Sequence, residues 1–84
     1  MIDVNVKFFG AFRRYGSGMV LKLEAGSSVK QLRQELFTKL QKNSHEFGSL
    51  LSESAFADEK SILCDEAIIR DSCTVAVIPP VCGG

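Results

Sequence analysis

The sequence predicts an α+β domain of two layers, a mixed sheet with one main helix packed on one face, followed by a flexible C-terminal Gly-Gly tail. Three observations carry this expectation. Apolar residues alternate with polar ones over Ile2–Phe9 and again over Met19–Glu24, the period of two of half-buried strands. A single stretch, Val29–Leu40, has the helical spacing instead. A β-branched run, Thr74–Ile78, is then cut short by Pro79 and Pro80.

The chain has 84 residues, 45% hydrophobic and 24% charged, which is the composition of one folded domain. A domain of this size removes only about 60% of its unfolded surface from water. Its core must therefore be assembled from few residues. Ten basic residues balance ten acidic ones, so nothing in the charge favours a nucleic-acid partner. Apolar runs are short and the N-terminus lacks the order of a secretory signal, so no membrane association and a cytoplasmic address are expected.

In the first strand, Ile2, Val4, Val6 and Phe8 fall on one side and Asp3, Asn5, Lys7 and Phe9 on the other. A turn is expected around 13–18, where Gly16 and Gly18 can take positive φ, before Met19, Leu21 and Leu23 return as a hairpin partner. The helix should begin at Ser28. Its hydroxyl can cap the first turn while Gln31, three residues on, reaches back to the Ser28 amide. Val29, Leu32, Leu36 and Leu40 form the stripe that faces the sheet, and Lys30, Arg33, Gln34 and Lys39 are expected in solvent. Lys39 and Lys42 suit the negative end of the helix dipole.

From Asn43 to Ser54 only a short helical turn is expected, through Phe47, Leu50 and Leu51, with Gly48 as a break. Short strands follow at Ser54–Asp58 and Ser61–Cys64, and Ile68–Ile69 lead into a polar turn before the last strand. The first and last strands are the most apolar, which places them side by side and parallel in the centre of the sheet. That arrangement is the β-grasp. Residues 1–78 are accordingly expected to form a ubiquitin-like β-grasp domain and residues 79–84 an extended tail.

The tail, Pro79-Pro80-Val81-Cys82-Gly83-Gly84, has its own chemistry. Two prolines remove two backbone donors and hold Ile78 extended, so the chain must leave the sheet. Six extended residues reach about 20 Å, far enough to enter another protein's active site. Gly83 and Gly84 can thread a narrow channel and leave the terminal carbonyl open to attack. A terminal carboxylate, with a reference pKa of about 3.5, can attack the α-phosphate of ATP but is a poor acyl donor until it is adenylated. The chain has no nucleotide-binding glycine motif, so an activating partner must use the ATP, and no cofactor is expected to be bound.

Cys64, Cys73 and Cys82 suit neither a disulfide framework nor the close pairs of a zinc site, and they are expected as reduced thiols. Three cysteines cannot hold the four-thiolate cluster of a β-grasp ferredoxin. His45 stands alone and reads as a surface loop residue, so no metal site is expected. Cys82 invites a persulfide or thioester role, but no neighbouring base or cation marks it as activated. Phe9, pointing away from the core, and Phe12 are candidates for an apolar docking patch with Val81, with cover by a loop as the alternative. Arg13 and Arg14 read as solvated or as contacts to an acidic partner, and Asp58 and Glu59 as surface turn residues.

The segments KFFGAFRRYG, the capped helix and IIRDSCTVAVIPPVCGG together resemble the MoaD/ThiS family of ubiquitin-like sulfur carriers. The ending, hydrophobic-Pro-Pro-hydrophobic-x-Gly-Gly, is the most specific part. With the chain length it points to the molybdenum branch, the small subunit of molybdopterin synthase, over the shorter thiamine-pathway carriers. The resemblance implies that a ubiquitin-activating-like adenylyltransferase adenylates Gly84 and that the residue becomes a thiocarboxylate. Inserted into the large subunit of molybdopterin synthase, it then gives up its sulfur, the small chain being a non-catalytic subunit. Ser72-Cys73 stands where many relatives have Gly-Asp, and Arg14 where an acidic residue often follows the matching Arg13. A carrier for the thiamine or cysteine pathway, a ubiquitin-like modifier joined through Gly84, and a binding module with an inert tail are the alternatives.

Overall fold

The computed structural model describes residues 1–40 and 45–79, the side chains of residues 45–47 excepted. Strand β1 (Ile2–Phe8) runs into a 3-10 helix (Gly10–Tyr15), and β2 (Gly18–Leu23) returns antiparallel with Val4 opposite Leu21. A two-residue strand, β3 (Ser27–Ser28), leads directly into helix α1 (Val29–Leu40). Helix α2 (His45–Ser52), β4 (Ala55–Ala57), β5 (Ile62–Leu63), β6 (Ile68–Ile69) and β7 (Cys73–Ile78) complete the described chain.

The main sheet has the order β2-β1-β7-β4-β5. Its centre is the predicted parallel pair, β1 beside β7 with Val6 opposite Val75 and Phe8 opposite Val77. The chain therefore folds as a mixed, ubiquitin-like β-grasp sheet carrying one main helix. Ser72 pins the start of the pair, its hydroxyl accepting the Asp3 N–H at 3.0 Å.

The alternation of β1 and β7 decides the core. Val4, Val6, Phe8, Val75 and Val77 are buried together with Leu21, Leu23 and Phe56 from the flanking strands. Val29, Leu32 and Leu36 of α1 and Leu51 of α2 complete the same cluster, and Leu40 packs half-buried at its margin. Truncating a fully buried leucine such as Leu32 or Leu36 to alanine costs about 2–5 kcal/mol in such a setting.

The start of α1 shows how local sequence positions the helix. Gln31 Oε1 accepts the Ser28 N–H at 2.8 Å and Ser28 Oγ accepts the Gln31 N–H at 3.3 Å, the reciprocal cap that the spacing predicts. Two further first-turn donors are taken by the connection between β5 and β6, Val29 N–H by the Ala67 carbonyl at 2.9 Å and Lys30 N–H by the Asp65 carbonyl at 3.0 Å. This explains a departure from the sequence reading. Ile68–Ile69 form a strand, not merely a lead into a turn, because they pair with Ser27–Ser28 just ahead of the capped helix.

Several other expectations need correction. Residues 10–15 form a 3-10 helix where a turn from Arg13 to Gly18 is expected, and Gly16 (φ +128°) and Gly18 (φ +154°) do supply the positive φ that follows it. His45 opens α2 instead of lying in a loop. Gly48 does not break that helix; it sits inside it, where an added Cβ would stand 3.0 Å from the Phe37 ring, so its small size lets α2 lie close on α1.

Arg33 is the clearest reversal. It belongs to the polar flank of α1 by spacing, yet only 18% of its side chain is exposed. Its Nη1 donates to the carbonyls of Leu51 at 2.6 Å and Ser54 at 2.9 Å, and Nη2 to Asp65 Oδ1 at 2.8 Å. The guanidinium carbon lies 5.0 Å from the centre of the Phe56 ring. One side chain thus ties α1 to the end of α2 and to the β5–β6 connection.

Candidate functional site

The last strand brings the C-terminal segment to one end of the sheet. Ile78, opposite Ala55 of β4, is the final paired residue. Proline has no N–H with which to continue the ladder, so β7 stops there for a covalent reason. Pro79 is half-buried against Gly10, the first residue of the 3-10 helix. Gly10 has φ +56°, the left-handed region that favours glycine.

Beside this point the sheet face turned away from α1 is partly apolar. Phe9 is 44% exposed, Val20 57% and Ile78 39%. An open groove runs along the β1–β2 hairpin, lined by Asn5, Lys7, Phe9, Arg13, Met19 and Val20. Its apolar ridge is therefore bordered by two cations.

Phe12 does not join that surface. It is fully buried, its ring centroid 6.3 Å from that of Phe8, and it closes the core beneath the 3-10 helix. The alternation that places Phe9 outside ends at Phe8. Beyond it the chain takes up 3-10 geometry, which turns Phe12 inward. Of the two docking candidates, only Phe9 is available to a partner.

A sequence profile of the ThiS family matches residues 6–84, nearly the whole chain and the diglycine with it. This chain belongs to the ThiS family. No curated protein sequence matches it significantly. Among solved structures, a Pyrococcus furiosus protein provisionally named molybdopterin converting factor, subunit 1, superposes with a TM-score of 0.78 at 22% identity, covering 96% of this chain and 100% of that one. SAMP1 from Haloferax volcanii superposes at 0.74 with 14% identity over 98% of this chain and 99% of that one. ATBAG1, from a complex with HSP70, gives 0.67 and 15% identity, the match covering 98% of this chain and 42% of that one. At such identities the likeness is one of fold, the ubiquitin-like fold of the ThiS and MoaD sulfur carriers.

Of the tail residues that the sequence singles out, Pro80, Val81, Cys82, Gly83 and Gly84 lie outside the described residues. What the structure places is the root of that segment, Ile78 and Pro79, with Phe9 and Gly10 beside it. Sequence reasoning passed over Gly10. A glycine just after a strand signals positive φ, but its contact with Pro79, 69 positions away, leaves no local trace.

Two other chemistry-bearing residues of this ThiS-family chain, Asp58 and Cys73, have defined local settings. Asp58 Oδ1 accepts the N–H groups of Lys60 at 2.8 Å and Ser61 at 2.9 Å, which folds the β4–β5 turn and holds its carboxyl below the ordinary 3.8. Cys73 is a free thiol whose pKa is raised above the ordinary 9.0, first by burial and then by the charges of Asp58 and Asp71. Among the described residues no group of three or more metal-ligating side chains converges, and no helix is long and apolar enough to cross a membrane.

Proposed function

We propose that this protein is a sulfur carrier, the small and non-catalytic subunit of a molybdopterin synthase, and that Gly84 is its working residue. In this reading residues 1–78 are the body and residues 79–84 an extended arm. The observation that carries it is the ThiS-family match, which runs through Gly84, on a body whose last strand is ended by proline at the edge of an exposed apolar face. The Pro79-Pro80 pair and the fold shared with a protein provisionally named molybdopterin converting factor, subunit 1, support the molybdenum branch.

The chemistry follows from the carboxylate. One oxygen of Gly84 attacks the α-phosphorus of ATP on a ubiquitin-activating-like adenylyltransferase, and pyrophosphate leaves. A sulfur nucleophile at the oxidation level of sulfide then displaces AMP, forming the C–S bond of a thiocarboxylate. Gly83 and Gly84, lacking side chains, pass into the synthase large subunit, where the thiocarboxylate sulfur bonds to the pyranopterin precursor as an oxygen substituent leaves, and water cleaves the acyl C–S bond to return Gly84 to its carboxylate. Val81 and Cys82 line the inserted arm, and Phe9 with Val20 and Ile78 forms the docking surface at its root. ATP is consumed by the activating partner, and the carrier binds no cofactor of its own.

Intact-mass analysis after incubation with the activating enzyme, ATP and a sulfur source tests this. Replacement of one oxygen by sulfur at the C-terminus is the expected result, and one residue appended after Gly84 abolishes it while the fold remains. Adducts to lysines of other proteins would instead establish a modifier. An unchanged mass would overturn the carrier reading, and delivery to a thiamine or cysteine precursor in place of the pyranopterin would overturn the molybdenum assignment.

A further inference from the structure

Four of the described glycines have positive φ, and they are not equivalent. At Gly16 (φ +128°) and Gly26 (φ +94°) an added Cβ would meet nothing within 4 Å, so backbone conformation alone favours glycine there. Gly10 (φ +56°) carries a second requirement. A Cβ at this position would stand 2.7 Å from Pro79 Cγ and 3.4 Å from Pro79 Cδ. Carbon atoms come into favourable contact at about 3.5–4.0 Å, so the ring would have to retreat by roughly 0.8 Å.

The space left by the missing side chain is thus taken by the first proline of the tail. Around that contact the backbone has little freedom. Ile78 precedes a proline and is paired with Ala55, Pro79 has its φ fixed near −65°, and Pro79 is itself followed by a proline. With the ring seated on Gly10, the remaining swivel at the Ile78–Pro79 junction is blocked.

We propose that Gly10 is a positioning residue: the notch left by its absent side chain seats the Pro79 ring and so sets the direction in which the chain leaves the sheet. The functional consequence rests on the sulfur-carrier reading above. A change in that direction shifts the volume that the residues after Pro79, about 17 Å of chain if fully extended, can reach from the body. Adenylation needs the carboxylate oxygen within roughly 3–3.5 Å of phosphorus, and misplacement by about 1 Å can cost on the order of 100-fold. A fixed departure direction therefore raises the fraction of time that the reacting end spends within reach of the phosphorus, without contacting the reacting atoms.

The test compares Gly10→Ala with Gly26→Ala, which also places alanine at a positive φ but meets no neighbour, and with both glycine positions combined with Pro79→Ala, which removes the ring. Residual dipolar couplings of the Ile78, Val81, Gly83 and Gly84 amides read the geometry directly, and pyrophosphate release by the source cell's adenylating enzyme reads the consequence. Gly10→Ala is expected to change the couplings and to lower kcat/KM about 10- to 100-fold, whereas Gly26→Ala changes neither by more than about threefold. In the Pro79→Ala background the effect of Gly10→Ala should fall below about threefold, since the two sites then share no contact. Identical couplings and turnover for Gly10→Ala and Gly26→Ala would overturn the proposal, as would an undiminished effect of Gly10→Ala without the ring. Should the unaltered protein not be adenylated at all, the carrier reading fails and the couplings alone decide whether Gly10 sets the direction.

Discussion

Replacing Arg33 by alanine probes a side chain that ties α1 to segments 18 to 32 positions further along the chain. The substitution removes three charge-assisted hydrogen bonds, to the Leu51 and Ser54 carbonyls and to Asp65 Oδ1, together with the packing of the guanidinium on Phe56. A hydrogen bond to a charged group contributes about 1.5–3 kcal/mol when both partners are held away from water. Three discounts apply. Asp65 is 40% exposed and is rehydrated once freed, so that pair contributes at the lower end. Leu51 O keeps the Ser54 N–H at 3.1 Å and the Ser54 hydroxyl at 2.7 Å, so losing Arg33 does not orphan it. Arg33 Nε is buried without a partner in the native structure, a cost that the alanine variant escapes. The net expectation is a loss of about 2–4 kcal/mol.

For a domain of this length each kcal/mol moves the melting temperature by about 4–8 °C, so a fall of at least about 8 °C is expected. Urea denaturation followed by far-UV circular dichroism should show a lower midpoint with an unchanged slope. Lysine at the same position keeps the charge but loses the planar fork, and should recover less than half of the loss. A change below about 0.5 kcal/mol for Arg33→Ala would refute the reasoning, because that is the ordinary effect of a substitution at a solvated surface position.

Three further predictions concern pH, reactivity and docking. Because the backbone donors of Lys60 and Ser61 lower the Asp58 pKa in the folded state, its contribution is complete above the unfolded value near 3.8 and is lost as pH falls through the lower folded value; the stability gap between wild type and Asp58→Ala should therefore narrow in acid, and a gap independent of pH between 7 and 2.5 would contradict this. Burial and neighbouring negative charge raise the Cys73 pKa, so at pH 8 iodoacetamide should label it more slowly than glutathione, as followed by peptide mass mapping of the folded protein; labelling at the glutathione rate would count against it. Phe9→Ser should weaken binding to the activating enzyme by about tenfold or more while leaving the melting temperature within about 3 °C, because its ring is 44% exposed and outside the core; unchanged affinity in a calorimetric titration would remove Phe9 from the docking surface.

What the sequence discloses and what it hides divide along sequence separation. The Ser28–Gln31 cap is legible because both partners lie three residues apart and each residue type has few other reasons to be there. The parallel pairing of β1 with β7 is also predicted, but not for the expected reason of cover on both faces: Val4, Val6, Phe8, Val75 and Val77 are buried on one face while Asp3, Lys7 and Thr74 are exposed on the other. Arg33 is hidden because its partners lie 18, 21 and 32 positions away, and along the helix it is indistinguishable from Lys30 or Lys39. Gly48 misleads because a glycine within a weak helical pattern usually signals an end, whereas here the close approach of the Phe37 ring demands it. Phe12 misleads because extrapolating a period of two assumes that the strand continues, and it stops at Phe8. At the candidate site the proline stop is visible in one dimension, and the glycine on which the proline rests is not.

The interior position of β7 has a mechanical corollary. Traction applied through Pro79 does not peel an outermost ribbon one bond at a time. It loads the hydrogen bonds to β1 on one flank and to β4 on the other together, the parallel flank in shear. A machine that grips the C-terminus and tugs therefore hauls the whole body along before it unravels any of it.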